Sequence, residues 1–360
     1  MTKFIANLIC LFVPTKNSRK AVRAFFNRNK ISLLWPFARY ALPRILPVAL
    51  HNAVVFNIEN GLADQIRTVA LAKCFYDNWR GEKPTIILNV GAFVGGHKGA
   101  KIYAADDPWL QNLLKSTKRG YDSSGKKLCS VSFDLFAYDA DWSWIAGFAI
   151  LPGGLVKKYD RFGRYYNLIR ARIKKNPFAA AAPNHKIAAP VMVRSFPDFD
   201  LFDLPSAADF AKGLKFRTTG ANKLKQKEIK GTRNSICVHI RRGDYIAHTG
   251  GLTLPASYFE KSVREILAGT GWKDATLFVF SDDWAWADKA MNFTLPGIKL
   301  KTDFVRINDI SAPAPELELM RSCRHFVISA GNFARIAFQM SDNPDKILIK
   351  PERKDFIIER

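Results

Sequence analysis

Between Ser235 and Lys350 the chain alternates short apolar runs with helix-length amphipathic segments, and this alternation limits the fold more than any other feature. Ser235 to Ile240, Thr276 to Phe280, Ile298 to Thr302, His325 to Ser329 and Lys346 to Lys350 read as strands. Tyr258 to Leu267, Trp284 to Asn292, Pro315 to Arg324 and Asn332 to Met340 read as the helices between them. Strands joined through helices form a parallel sheet with helices on its faces. A second start of the same kind lies upstream: the strand Ala53 to Ile58, the Asn60-Gly61 turn, the helix Leu62 to Phe75 and the strand Thr85 to Val90.

Other segments are less regular. Residues 106–154 are aromatic-rich without a readable period, and Pro177 to Pro205 holds five prolines, which marks a boundary or crossover. A helix from Ser206 to Phe216 and a lysine-rich loop (Lys223, Lys225, Lys227, Lys230) then lead into the alternating part. At 360 residues the chain has room for about two domains. The expected division is 1–50 as a basic leader, 51–200 as an N-terminal domain and 201–360 as a C-terminal domain.

Charge narrows the choice of partner. Lys+Arg 55 against Asp+Glu 32 gives +23, an imbalance that favours an anionic ligand or surface. Nine basic residues and no acid fall in the first fifty positions, interleaved with Phe25, Phe26, Leu33, Leu34, Trp35 and Phe37. Such a segment suits the anionic inner leaflet of a plasma membrane; a basic arm packed on the protein's own body is the other reading. The apolar stretch Phe4 to Val13 is too short to span a bilayer, and charges that follow it, with Pro14 between, argue against a secretory signal. Leu155 to Lys175 carries eight basic residues against one acid, either a helix near phosphate or membrane, or a solvated face. The five cysteines and six histidines show no metal-ligand spacing, so a protein-held metal is not expected.

In open α/β sheets ligands bind beyond the carboxyl ends of the strands. Three such ends carry chemistry. After His239 and Ile240 come Arg241-Arg242-Gly243-Asp244; adjacent side chains diverge, and one guanidinium there can fork onto a diphosphate, with an Arg–Asp ion pair closing the strand as the structural alternative. Ser281-Asp282-Asp283 could bind ribose hydroxyls or a guanine edge, cap the following helix, or do both. Ser329-Ala330-Gly331-Asn332-Phe333-Ala334-Arg335 is a small-residue turn opening a helix, whose free amides suit phosphate, with Arg335 one turn in.

These segments carry a resemblance. SICVHIRRGDYI (235–246), LFVFSDDWAWADKAM (277–291) and ELELMRSCRHFVISAGNFARIAF (316–338) resemble glycosyltransferase family 11, the α-1,2-fucosyltransferases, in order and spacing. NGLADQIRTVALAKCF (60–75) resembles that family's glycine-rich N-terminal segment, with Gly61, Gln65 and Arg67 in place. The resemblance implies an α/β, B-type glycosyltransferase: two Rossmann-like domains facing a cleft, the N-terminal one on the acceptor side and the C-terminal one on the donor. It further implies GDP-fucose as donor, no metal or other cofactor, and inverting transfer to a hydroxyl, galactose O2, of a cell-surface glycan such as O-antigen. Carried over to this chain, it places Arg241 on the donor β-phosphate, Arg242 beside it and His239 at the nucleotide. Ser281, Asp282, Asp283, Gly331, Asn332 and Arg335 complete the expected donor site.

The third motif departs from the family: an Asn-Ser pair followed by Phe-Ser-Trp-Trp is replaced by Ala330-Gly331-Asn332-Phe333-Ala334-Arg335-Ile336, closer to α-1,6- and protein O-fucosyltransferases. That keeps other linkages, and other nucleotide-sugar donors, open. The catalytic pair expected is Arg241 and Asp244, with His248 and Asp64 as further candidates for the base that takes the acceptor proton. The expected partners are GDP-fucose, a glycan acceptor on a lipid carrier and an anionic membrane surface, with no nucleic acid, for a cytoplasmic protein lying on the inner face of the plasma membrane. Two rivals remain. Asp139-Ala140-Asp141 is a D-x-D triplet of the kind metal-dependent glycosyltransferases use, and charge alone would suit a non-catalytic lipopolysaccharide- or nucleic-acid-binding protein.

Overall fold

The computed structural model describes residues 53–78, 83–94, 101–103, 108, 118–122, 127–150, 191–193, 205–308 and 312–359. The basic leader (1–50) and the basic segment 155–175 lie outside them.

The N-terminal half begins with β1 (Ala53–Asn57), α1 (Leu62–Asn78), β2 (Thr85–Asn89) and the short α2 (Gly91–Val94). It continues with β3 (Lys101–Tyr103), the antiparallel pair β4 (Lys118–Asp122) and β5 (Lys127–Ser132), β6 (Ile145–Ile150) and β7 (Val191–Val193). Its sheet runs β3-β6-β2-β1-β7, parallel throughout except for edge strand β3. The proline-rich stretch therefore contains a strand, β7, beside β1. The all-buried pattern of β1 is what a strand covered on both faces requires.

Two helices lead into the C-terminal half, α3 (Pro205–Gly213) and α4 (Gly220–Gly231). The lysine-rich loop expected at 223–230 is this second helix. Lys, Leu, Gln and Glu all favour helix, Ile229 is buried beneath, and Lys225 is tied to Asp303 at 3.1 Å and Glu228 at 2.8 Å. Lysines read only as charge concealed a helix with one buried anchor.

Then follow β8 (Ser235–Ile240), α5 (Gly243–Thr249), β9 (Leu252–Thr253), α6 (Ala256–Thr270), β10 (Asp274–Ser281), α7 (Trp284–Ala290) and β11 (Lys299–Phe304). The chain closes with α8 (Pro313–Arg321), β12 (His325–Ile328), α9 (Phe333–Met340), β13 (Leu348–Ile349) and β14 (Ile357–Ile358). The order β11-β10-β8-β12-β13 is parallel throughout, with β8 central. Two Rossmann-like sheets are present, as expected, and the five strands and four helices read between 235 and 350 all appear in the second half, to which the structure adds α5, β9 and β14.

Helix α3 packs on α1 and on α9, so it touches both halves. Ser206 Oγ lies 3.0 Å from Cys74 Sγ, Phe210 meets Trp142 and Trp144 edge to face, and Arg321 Nη1 donates to Leu214 O at 3.0 Å. One apolar core accordingly runs from β1 and α1 through α3 into α8, β12 and α9. Among the described residues, no helix is long and apolar enough to cross a membrane.

Candidate active site

Strands β8, β10 and β12 lie side by side, so the residues that follow them converge at one edge of the C-terminal sheet. Arg241 leaves β8 with its backbone N–H donating to Ser329 Oγ at 2.9 Å. Its Nη2 lies 2.8 and 2.9 Å from the two oxygens of Asp244 in the first turn of α5. Nε and Nη1 make no hydrogen bond to a described residue, and the side chain is 36% exposed. Arg241 thus presents an open guanidinium edge held from behind by a carboxylate.

Arg242 points the other way, as alternation after a strand requires. It is buried; Nε reaches Asp283 at 3.2 Å, Nη1 Thr253 at 2.7 Å and Nη2 Glu359 at 2.5 Å, while the guanidinium stacks 4.2 Å from the Trp286 ring. The structure corrects the expectation of a phosphate ligand here: every nitrogen of this guanidinium already has a partner.

The Ser281-Asp282-Asp283 segment is a structural clamp. Asp282 Oδ1 accepts from the backbone of Arg242 at 2.8 Å and of Gly243 at 3.2 Å, fixing the turn that launches Arg241. Burial raises the Asp282 pKa against the pull of those two amides, although the residue keeps an exposed edge. Asp283 caps α7 through the Trp286 N–H at 3.1 Å, and Ser281 Oγ accepts from the Asp283 N–H at 3.0 Å. The capping alternative therefore holds for Asp283, while Ser281 braces the cap residue from behind.

His239, near the end of β8, is 8% exposed. Its Nδ1 lies 3.1 Å from Ser329 Oγ. The same buried hydroxyl accepts from the Arg241 backbone N–H, so it joins the ring to that arginine. Burial, helped by the Arg241 charge, pushes the ring pKa down to about 3, so the imidazole is neutral. The sequence set Ser329 at the head of the third strand-end motif without a role of its own; the structure makes it the link between His239 and Arg241.

Gly331, at φ +102°, makes the turn after β12, and a Cβ there would lie 3.7 Å from Arg241 Cδ. Asn332 donates through Nδ2 to Asp64 Oδ1 at 3.0 Å, bringing the carboxyl end of β12 against the first turn of α1. Asp64 also accepts from Asn60 Nδ2 at 3.3 Å and lies 3.6 Å from Arg67. Gln65 is buried, bonded to Asn60 O and the Asp134 N–H. Arg335 sits half-buried in the first turn of α9. The His248 side chain lies outside the described residues, although its backbone is part of α5.

Asp139 and Asp141 lie elsewhere. They precede β6 and so occupy the amino end of the N-terminal sheet, where Asp139 pairs through its backbone with Lys215 and Asp141 accepts from the Ser143 N–H at 2.9 Å. Hydrogen bonding from the Ser143 side chain, and then from its N–H, lowers the Asp141 pKa. The triplet is thus opposite to the edge where Arg241, Gly331 and Asn332 gather.

Residues 207–355 match the family model for glycosyl transferase family 11. Over 132 residues the chain is 28% identical to the O-antigen biosynthesis glycosyltransferase WbnK of Escherichia coli, covering 36% of this chain and 41% of that protein. Over 116 residues it is 27% identical to the mouse galactoside 2-alpha-L-fucosyltransferase Sec1, 31% of this chain and 30% of that one. The matches thus span less than half the length of either relative. The fucosyltransferase NodZ from Bradyrhizobium superposes with a TM-score of 0.47 at 10% identity, over 86% of this chain and 99% of that one.

Proposed function

We propose, from a C-terminal half that carries a family 11 glycosyl transferase domain, that this protein transfers L-fucose from GDP-fucose, with inversion, to a hydroxyl of a cell-surface glycan. The observation that carries the reading is the open edge of Arg241 beside the Gly331 turn and the start of α9. Charge grows on the departing diphosphate as the sugar bond breaks, and a fixed guanidinium with helix-end amides meets it in a preorganised way. Asp244 holds the guanidinium, and His239 offers a neutral imidazole to the nucleotide. No metal is part of this reading, and the diphosphate charge falls to Arg241.

Galactose O2 of an O-antigen-like chain is the acceptor proposed, on the names of the relatives that match. Access to a lipid-linked glycan would follow from a leader that rests on an anionic inner leaflet. Deleting residues 1–50 should then abolish binding to anionic vesicles while soluble acceptors are still fucosylated.

The direct experiment measures GDP release by the full chain from GDP-fucose, against GDP-mannose, UDP-galactose and UDP-N-acetylglucosamine, with β-galactoside acceptors and excess EDTA. Acceptor-stimulated release from GDP-fucose alone, unchanged by EDTA, is expected. Preference for a UDP-sugar, or loss of all turnover with EDTA, would sink the proposal.

A further inference from the structure

Strands β1 and β2 each end in a buried asparagine, and their parallel register sets Asn57 beside Asn89. The two residues are 3% and 1% exposed. Amides so enclosed must hydrogen-bond, and here they form one directed chain. The Gly91 N–H donates to Asn89 Oδ1 at 3.1 Å, Asn89 Nδ2 donates to Asn57 Oδ1 at 2.7 Å, and Asn57 Nδ2 donates to Glu59 Oε1. Every donor is aimed the same way, so the amide dipoles reinforce one another and the chain ends on a carboxylate that can only accept. Glu59 is half-buried, and its second oxygen, Oε2, has no partner among the described residues.

The residue after Glu59 leads toward the phosphate arginine: Asn60, at φ +64°, bonds Asp64, Asp64 bonds Asn332, and Asn332 follows Gly331 in the turn where an added Cβ would lie 3.7 Å from Arg241. The other carboxylates considered for the base are engaged: both oxygens of Asp244 face Arg241, and those of Asp64 take Asn332 and Asn60. One oxygen immobilised and the other open is the arrangement a proton acceptor needs.

We infer that Glu59 is the general base of the transfer, an inference that rests on the fucosyl-transfer reading above. Oε2 takes the proton of the acceptor hydroxyl as an electron pair of that hydroxyl oxygen forms the new bond to the anomeric carbon. The bond from that carbon to the diphosphate breaks, and its electron pair leaves with the β-phosphate oxygen facing Arg241. Glu59 ends as a neutral acid and passes its proton to water.

Glu59→Gln tests this, because the amide oxygen can still accept from Asn57 while Oε2 is lost. With GDP-fucose and a β-galactoside, kcat should fall about 10²- to 10⁴-fold, with donor KM, GDP affinity and melting temperature near wild type. The acid limb of the wild-type pH–kcat profile should vanish in the variant. If Glu59→Gln melts early, Glu59→Asp decides: native GDP affinity with a large loss of kcat supports the role, and near-native kcat refutes it. Glu59→Gln turning over within about 3-fold of an active wild type, with its pH profile intact, overturns the assignment alone. A wild type inactive with GDP-fucose overturns the transfer reading and this inference together.

Discussion

Arg241 and Arg242 are neighbours of identical chemistry, and the structure predicts opposite consequences for the same conservative change. Arg242→Lys keeps the charge but replaces a three-pronged planar group with a single ammonium, which reaches one of Asp283, Thr253 and Glu359 instead of all three. The Thr253 hydroxyl, 3% exposed, loses its bond to the guanidinium, worth about 1 kcal/mol. One ion pair also goes; the Asp283 and Glu359 side chains are 32% and 44% exposed, so solvent screening limits it to about 0.5–1 kcal/mol. Lost stacking on Trp286 costs about 0.5–1 kcal/mol more. Together these amount to about 2–3 kcal/mol, or a fall of roughly 3–4 °C in melting temperature for a chain of this size. Thermal melts followed by circular dichroism, with GDP affinity measured by calorimetry well below the melt, separate the effects. The expected Arg242→Lys protein is less stable but binds GDP normally. A variant of native stability that has lost GDP would refute the assignment of Arg242 to the scaffold and return it to the donor site.

Three further outcomes follow from the same geometry. Arg241→Lys should melt within about 1 °C of wild type, since among the described residues its side chain pairs only with Asp244 and is itself part-exposed, yet lose at least about 100-fold in turnover because the fork is gone; near-normal kcat would move the phosphate site elsewhere. Asn332→Asp sets a carboxylate against Asp64 and should lower kcat/KM about tenfold or more, an effect that Asp64→Asn in the same chain should reverse; a double variant no better than the single would deny that this contact joins the two halves. For His239, a folded pKa of about 3 lies below the unfolded value near 6.5, so the unfolded chain binds the extra proton between those limits. Stability should therefore fall as pH drops through that window, by up to about 1.4 kcal/mol per pH unit from this group. Urea midpoints at pH 4 to 7 should show a shallower slope in His239→Gln, and identical slopes would contradict the buried neutral ring.

Much of this was open to a reader of the sequence, for definite reasons. A strand buried on both faces must be apolar, so Ser235 to Ile240 announces itself, and in a parallel sheet its exit marks the place where ligands sit. Which of two adjacent arginines faces out depends on the pleat and on Glu359, more than a hundred residues away, and no local pattern carries that. The lysines of α4 looked like a loop because the one burial that makes them a helix, Ile229, is a single residue. The Asn89–Asn57–Glu59 chain left a fainter trace, two apolar strands ending in asparagine, and only their pairing gives it meaning.

Helix α3, wedged between α1 and α9, bears on how a protein of this architecture can diversify. Because its apolar face is shared and the core beneath it is continuous, neither half can be exchanged for a foreign one without exposing a seam of Phe210, Trp144 and their neighbours. New binding preferences then arise by rewriting the segments at the rim of the sheets rather than by shuffling modules. A chimaera cut near residue 200 should yield insoluble fragments where loop grafts yield folded protein.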